Sequence, residues 1–168
     1  WDGLALYRSQ DNFVVQWGDA DGDDKAKAKP LTAGARDHLP AEFTRSDKGV
    51  RFDRLPDADG WAPEVGFIDG FPAARDPKAG KAWIAHCYGV VGAGRNNAPD
   101  SSLGAELYAI IGQAPRALDH QLSVVGRVVK GMELLSVVPR GPDPMGFYEK
   151  PEQRVPIVSV KLASDVPV

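Results

Sequence analysis

Four stretches of this 168-residue chain carry residues whose types could do chemistry. The first is the acidic run Asp19-x-Asp21-Gly22-Asp23-Asp24, whose carboxylates suggest a calcium loop. An EF-hand loop begun at Asp19 needs glycine sixth and glutamate twelfth, but Asp24 and Pro30 stand there, so calcium is not expected. The second, Gly89-x2-Gly92-x-Gly94, lacks the G-x-G-x-x-G spacing and a following helix, so no dinucleotide is expected either. The third, His86-Cys87, sets a base beside a nucleophile. Neighbours in a strand point to opposite faces, so the two could not readily share a proton. The histidines His38, His86 and His120 have no metal-ligand spacing, and Cys87 alone makes neither an internal disulfide nor a thiolate metal site. The fourth is Tyr7-Arg8 followed by Phe13-Val14-Val15-Gln16, with the arginine early in a turn and the glutamine in the run that follows it. Taken alone, an arginine beside a turn is a solvated cation and its apolar neighbours are core.

The elements that must position these residues are mostly short. Residues 4–7 and 13–16 are apolar runs of strand length, and Ser9-Gln10-Asp11-Asn12 between them supplies turn chemistry. Segment 19–30 is polar and ends in a proline, as a solvated loop does. From 31 to 81 the pattern is irregular, and Pro40, Pro56, Pro63, Pro72 and Pro77 exclude a long helix. Short strands are expected near 50–52 and 64–68, then over 82–87, 107–111, 122–129 and, finally, the alternating 155–162. The segment 89–104 reads as a loop. Residues 130–138 read as a helix, with Met132, Leu135 and Val138 on one face and Pro139 as its stop. Many strands, few helices and no βαβ rhythm predict a mainly β fold, an antiparallel barrel or sandwich, in one domain over 1–168.

Composition narrows the partners. A net charge of -3 gives no reason to expect nucleic acid or an anionic membrane surface. No apolar stretch reaches the roughly 18–20 residues of a membrane-crossing helix, so no membrane insertion is expected. The 18 glycines and 14 prolines fit a chain with many loops.

The stretch Tyr7-Arg8-x4-Phe13-Val14-Val15-Gln16-Trp17-Gly18-Asp19 resembles the signature of the cyclophilin-type peptidyl-prolyl isomerases. That family has an aromatic, an arginine, a phenylalanine five residues on, a glutamine three later and a glycine-aspartate end, all at these intervals, with Trp17 replacing one glycine. Trp83-Ile84-Ala85-His86 is similar to a strand of the family, and Gly104-Ala105-Glu106-Leu107-Tyr108 to its Gly-Ser-Gln-Phe-Phe strand. Leu118-Asp119 and the run Val124-Val125-Gly126-Arg127-Val128-Val129-Lys130-Gly131-Met132 resemble its closing strand and helix start. The similarity runs from about Trp1 to Val138 in order. It implies a cyclophilin-like antiparallel β-barrel with few short helices, incomplete at the N-terminus because two strands and a helix ordinarily precede the position of Trp1. There are departures. Leu122 stands for a histidine, Ala117 for a tryptophan, Glu106 for a glutamine, Leu107 for a phenylalanine and His86 for an asparagine.

The implied reaction is rotation about an X–Pro bond. The amide barrier is roughly 18–20 kcal/mol, and no atom is transferred, so neither cofactor nor metal is implied. Catalysis then comes from binding the twisted amide better than either planar form. The prolyl nitrogen, deconjugated in the twisted state, can accept a hydrogen bond, and a guanidinium is a rigid, permanently charged donor. The resemblance puts Arg8 in that role and Gln16 as a clamp on substrate backbone. It puts Phe13, Val14, Tyr108, Leu118 and Leu122 around the proline ring, and the backbone of His86 at the residue before proline. Proline-containing polypeptides are the implied partners. A non-catalytic proline-peptide-binding or chaperone-like module on the same fold is the alternative, and a purely structural domain, with Trp17 or the long loop filling the groove, is a third. The resemblance points to a periplasmic protein, with the cytoplasm as the other compartment; oligomeric state is not legible.

Overall fold

The structure is a computed structural model that describes residues 1–22, 24, 26–31, 36, 38–102 and 104–166. Asp23, part of the acidic run weighed for calcium, lies outside them. In chain order the strands are β1 (Ala5–Ser9), β2 (Val14–Gly18), β3 (Arg45–Ser46), β4 (Asp53–Arg54), β5 (Glu64–Ile68) and β6 (Phe71–Asp76). They continue as β7 (Lys81–Ile84), β8 (Val90–Ala93), β9 (Leu107–Ile110), β10 (Val124–Arg127) and β11 (Val155–Pro156). One short α-helix, α1 (Met132–Ser136), and three single 3-10 turns complete the list among the described residues.

All pairings are antiparallel and form two sheets. The six-stranded sheet runs β10-β8-β9-β2-β1-β11 and the five-stranded one β3-β7-β6-β5-β4. The expected mainly β, antiparallel architecture is present. No pairing between described residues closes either sheet into a ring.

The first hairpin forms as its sequence dictates. Asn12 takes a positive φ of 51° in the turn, and Gln10 N–H donates to Val14 O at 2.9 Å. Within it the register shifts between Leu6, which faces Trp17, and Arg8, which faces Gln16. This β-bulge inserts Tyr7 as the extra residue and re-aims the side chains beside it.

Six expectations need correction. The glycine-rich segment 89–104 is not all loop, because it holds β8, whose Val90 is buried at 1% exposure. The strand expected over 82–87 ends at Ile84, so His86 lies beyond it. The irregular stretch 31–81 contains β6, despite Pro72. Pro72 is the second residue of that strand, just after a tight turn through Asp69 (φ 49°) and Gly70 (φ 78°). That Asp-Gly pair is a hairpin signal that a reading focused on prolines passes over. Of 155–162 only Val155–Pro156 forms a strand, paired with Leu6 and Ala5; Ile157 adds backbone bonds to Leu4 and Gly3 beyond the start of β1, and Val158 is 88% exposed. The strand near 50–52 falls one step later, at β4, and the helix over 130–138 shortens to α1.

Two apolar clusters result. Val14, Val90, Tyr108 and Ile110 form one on the six-stranded sheet, with Phe13, Leu118, Leu122 and Val124 packed against them. Ala62, Ala74 and Trp83, joined by Val65, form the other on the five-stranded sheet.

Candidate functional site

A single row across the six-stranded sheet builds the site. Arg8 on β1 faces Gln16 on β2, Gln16 faces Tyr108 on β9, and Tyr108 faces Gly92 on β8. Directly opposed residues share a face, so these side chains point the same way. Val14 and Ile110, one step along, join that face by the period of two.

The bulge decides the chemistry at the end of the row. In a regular strand Tyr7 and Arg8 would point apart. Here both reach the Gln16 amide: Arg8 Nη1 donates to Gln16 Oε1 at 3.0 Å, and Gln16 Nε2 donates to Tyr7 Oη at 2.7 Å. Arg8 Nε donates to Met145 O at 2.7 Å, and Nη2 donates to Gln10 Oε1 at 2.6 Å. Its guanidinium carbon lies 5.6 Å from the Phe13 ring centroid and 4.9 Å from that of Phe147. Segment 141–148 brings Met145 and Phe147 to this edge, where Ser9 N–H donates to Gly146 O at 2.8 Å and Tyr148 N–H to Tyr7 O at 3.0 Å. Burial lowers the Arg8 pKa from its ordinary value, yet a guanidinium stays charged in any protein. Three of its five N–H groups are taken by these bonds among the described residues.

Beside this guanidinium is a cleft of about 180 Å³ lined by Arg8, Phe13, Val14, Gln16, Tyr108, Leu118 and Leu122, together with Gly94 and Arg95. Seven of the eight residues expected at the site therefore meet in one place. Leu118 ends the 3-10 turn Arg116–Leu118 and Leu122 lies one turn further on, where its N–H donates to Leu118 O at 3.2 Å. Gly92 makes room for the cleft floor. A Cβ there would fall on the Tyr108 ring and hydroxyl, so any other residue would push the ring out.

His86 is the exception. It is 1% exposed and lies beneath the cleft instead of on its wall. Its backbone N–H donates to Asp119 Oδ1 at 2.9 Å, which leaves that group nothing to offer a peptide. Its Nδ1 is 2.9 Å from the same carboxylate and its Nε2 is 2.9 Å from Tyr108 Oη. An ionised carboxylate only accepts, so Nδ1 carries the hydrogen; in the neutral ring Nε2 then accepts from the Tyr108 hydroxyl. The hydroxyl thus points into the core, and the cleft meets the apolar ring.

Asp119 is the hub of this buried network. Trp83 Nε1 donates to its Oδ2 at 3.0 Å and Arg116 Nε at 2.6 Å, while Arg116 also pairs with Asp59. Burial acts to raise its pKa, but the donors His86, Arg116 and Trp83 outweigh that and hold the carboxyl down to about 2. Burial and the Asp119 charge raise the Tyr108 pKa above its ordinary range, so the phenol is neutral. The same network ties the end of β7 to the turn that presents Leu118.

Sequence reasoning missed Arg95, Gly94, Met145 and Phe147. Arg95 and Gly94 sit in the segment read as loop, and the other two lie more than 130 positions from Arg8, as the Arg8–Met145 separation of 137 shows. No local pattern encodes such a contact. The acidic run is internally engaged, since Asp19 Oδ1 and Oδ2 accept the N–H groups of Asp21 and Lys29 at 3.2 and 2.7 Å.

Comparison with known proteins places this architecture. The crystal structure of cyclophilin AquaCyp293 from Hirschia baltica superimposes with a TM-score of 0.76 at 23% identity. The match covers 99% of this chain and 62% of that one, so the chain spans less than two thirds of that neighbour's length. At this identity the likeness concerns the fold. No curated protein sequence matches. The sequence model of the family described as cyclophilin type peptidyl-prolyl cis-trans isomerase/CLD matches residues 1–162. With that match across nearly its whole length, the chain belongs to the cyclophilin-type peptidyl-prolyl cis-trans isomerases.

Proposed function

We propose that this chain, acting as one domain over 1–168, catalyses rotation about X–Pro bonds in extended or unfolded polypeptides, with Arg8 as its electrostatic catalyst. The observation that carries the reading is Arg8 itself: a guanidinium fixed by three acceptors on the rim of an apolar cleft. A proline ring seated against Phe13, Val14, Tyr108, Leu118 and Leu122 brings its nitrogen under that guanidinium. As the amide twists, the nitrogen gains a lone pair and accepts from Arg8, an interaction stronger in the transition state than in either planar form. One preorganised donor of this kind is worth about 2.7–4 kcal/mol. Gln16, locked between Tyr7 and Arg8, orients the guanidinium and offers its amide to substrate backbone. The apolar cleft adds to this by holding one side of the bond and excluding water from it.

The alternative, a binding module without turnover, keeps the same cleft. The purely structural reading is disfavoured because Trp17 faces Leu6 and Leu107, away from the Gln16 face, and leaves the cleft open. A protease-coupled assay on an Ala-Pro peptide separates the first two. In the isomerase, Arg8→Ala lowers kcat/KM at least tenfold while the far-UV spectrum and melting transition persist. Peptide binding with no turnover in the native chain supports the module instead. A periplasmic setting remains part of the proposal, and fractionation of the natural host tests it.

A further inference from the structure

The cleft is bordered by a second arginine. Arg95 lies just beyond β8, and its side chain borders three hollows: the proline cleft, a polar cavity of about 320 Å³ beyond Gln16, and a shallow groove past Leu122. Its Nε donates to Gln121 O at 2.7 Å, and its Nη1 donates to Asn96 O at 2.7 Å and Asn97 O at 3.0 Å. The Phe43 ring centroid lies 5.7 Å from its guanidinium carbon. Neutral carbonyls thus hold the side chain in place, and no described carboxylate lies within ion-pair distance of it. Arg8 is likewise held by neutral acceptors. Arg154, on the far wall of the polar cavity, has Asp21 at 3.8 Å. The carboxylate facing this cavity is that of Glu106, with Gln16 Nε2 at 3.4 Å. Of the described arginines around the cavity, Arg154 has Asp21 and Arg8 feels the charge of Asp143, while Arg95 is held by carbonyls and the Phe43 ring.

We infer that Arg95 is a specificity-determining residue that selects proline sites with an acidic side chain within two residues of the proline. The inference rests on the reading of the cleft as a proline site. Because Arg95 forms part of the cleft wall, the substrate side chain it meets belongs to a close neighbour of the proline, at about 3.8 Å per residue of chain. Its guanidinium is already ordered by three carbonyls, so little further entropy is lost when a carboxylate docks. A solvent-accessible ion pair gives only a modest gain, and a lysine in the same place is repelled. Together these predict a Glu-over-Lys preference of about three- to tenfold in kcat/KM at low salt.

The test uses peptides with a Gly-Ala-Ala-Pro-Ala-Ala-Gly core, with Glu, Ala or Lys at each of the four positions flanking proline. Turnover is measured by NMR exchange and affinity by chemical-shift titration, at low and high salt. The expected result is a Glu preference at one or more positions that shrinks with salt, inverts in Arg95→Glu and survives in Arg95→Lys. Because Arg95 also braces its loop, Arg95→Lys separates charge from bracing. Equal loss of the preference in Arg95→Lys and Arg95→Glu overturns the inference, as does an unchanged Glu/Lys ratio in Arg95→Glu. Turnover of every peptide without a Glu/Lys difference refutes the role of Arg95 and leaves the isomerase intact. Binding with the Glu preference but no turnover upholds Arg95 and refutes the isomerase. Peptides that are neither bound nor turned over refute both.

Discussion

Replacing Asp119 by asparagine should be among the most damaging conservative substitutions in the chain. The carboxylate is 4% exposed and accepts from four donors: the backbone and Nδ1 of His86 on Oδ1, Trp83 and Arg116 on Oδ2. An asparagine keeps one oxygen and turns an NH2 toward the other pair of donors, so two buried N–H groups lose their acceptor. Each such group costs about 1–3 kcal/mol, and Arg116 also loses a buried charge partner while keeping Asp59. The sum is about 3–5 kcal/mol, the usual cost of breaking a buried ion pair from one side. The carboxyl itself gives a second handle. Its pKa falls from 3.8 in the unfolded chain to about 2 in the fold. A depressed carboxyl stabilises the fold above the unfolded value, and that contribution, about 2 kcal/mol at 1.36 kcal/mol per unit, disappears as pH drops from about 4 toward 2. Urea unfolding followed by far-UV circular dichroism measures both effects across pH 7 to 3. Wild type should lose its margin over Asp119→Asn as pH falls, and turnover of an Ala-Pro peptide should drop because Tyr108 and Leu118 lose their common anchor. A loss at pH 7 below about 1 kcal/mol, or stability curves that stay parallel below pH 4, would refute the account of Asp119 as the hub.

Two further substitutions probe the cleft floor. Gly92→Ala would place a methyl on the Tyr108 ring, so it should cost about 1–3 kcal/mol and lower kcat/KM together; Gly126→Ala, where a Cβ meets nothing within 4 Å, is the matched control and should do neither. Tyr108→Phe keeps the ring but leaves His86 Nε2 without its 2.9 Å partner, which should cost about 1–3 kcal/mol by urea titration. An unaltered midpoint there would mean that the hydroxyl does not organise the floor.

Much of the site was legible because its first part is local. Arg8, Phe13, Val14 and Gln16 lie on one hairpin that turn chemistry and apolar runs make legible, and the resemblance assigned them to one site. The resemblance added Tyr108, Leu118 and Leu122, and the structure brings all of them to the same cleft. His86 is not among the residues that line the cleft, and the reason is physical. Its neighbourhood reads as a strand running to residue 87, but β7 stops at Ile84, and the chain turns inward to meet a carboxylate 33 positions away. β8, which flanks β9 on the side away from β2, lies in glycine-rich sequence, and the Tyr108 ring needs Gly92 beneath it.

The residue sequence by itself determined the antiparallel β character, the leading hairpin and the chemical kinds of side chain present, since alternation, turn formers and charge act between near neighbours. Only the tertiary structure decided which of those side chains share a space. The bulge at Tyr7 turns two adjacent residues toward one glutamine, the segment around Met145 fixes the arginine from far along the chain, and Arg95 reaches the cleft from a stretch with no periodicity. Such placements arise from strand register, as at the bulge, and from packing between distant segments, as with Met145, and residue types in a short window of sequence specify neither.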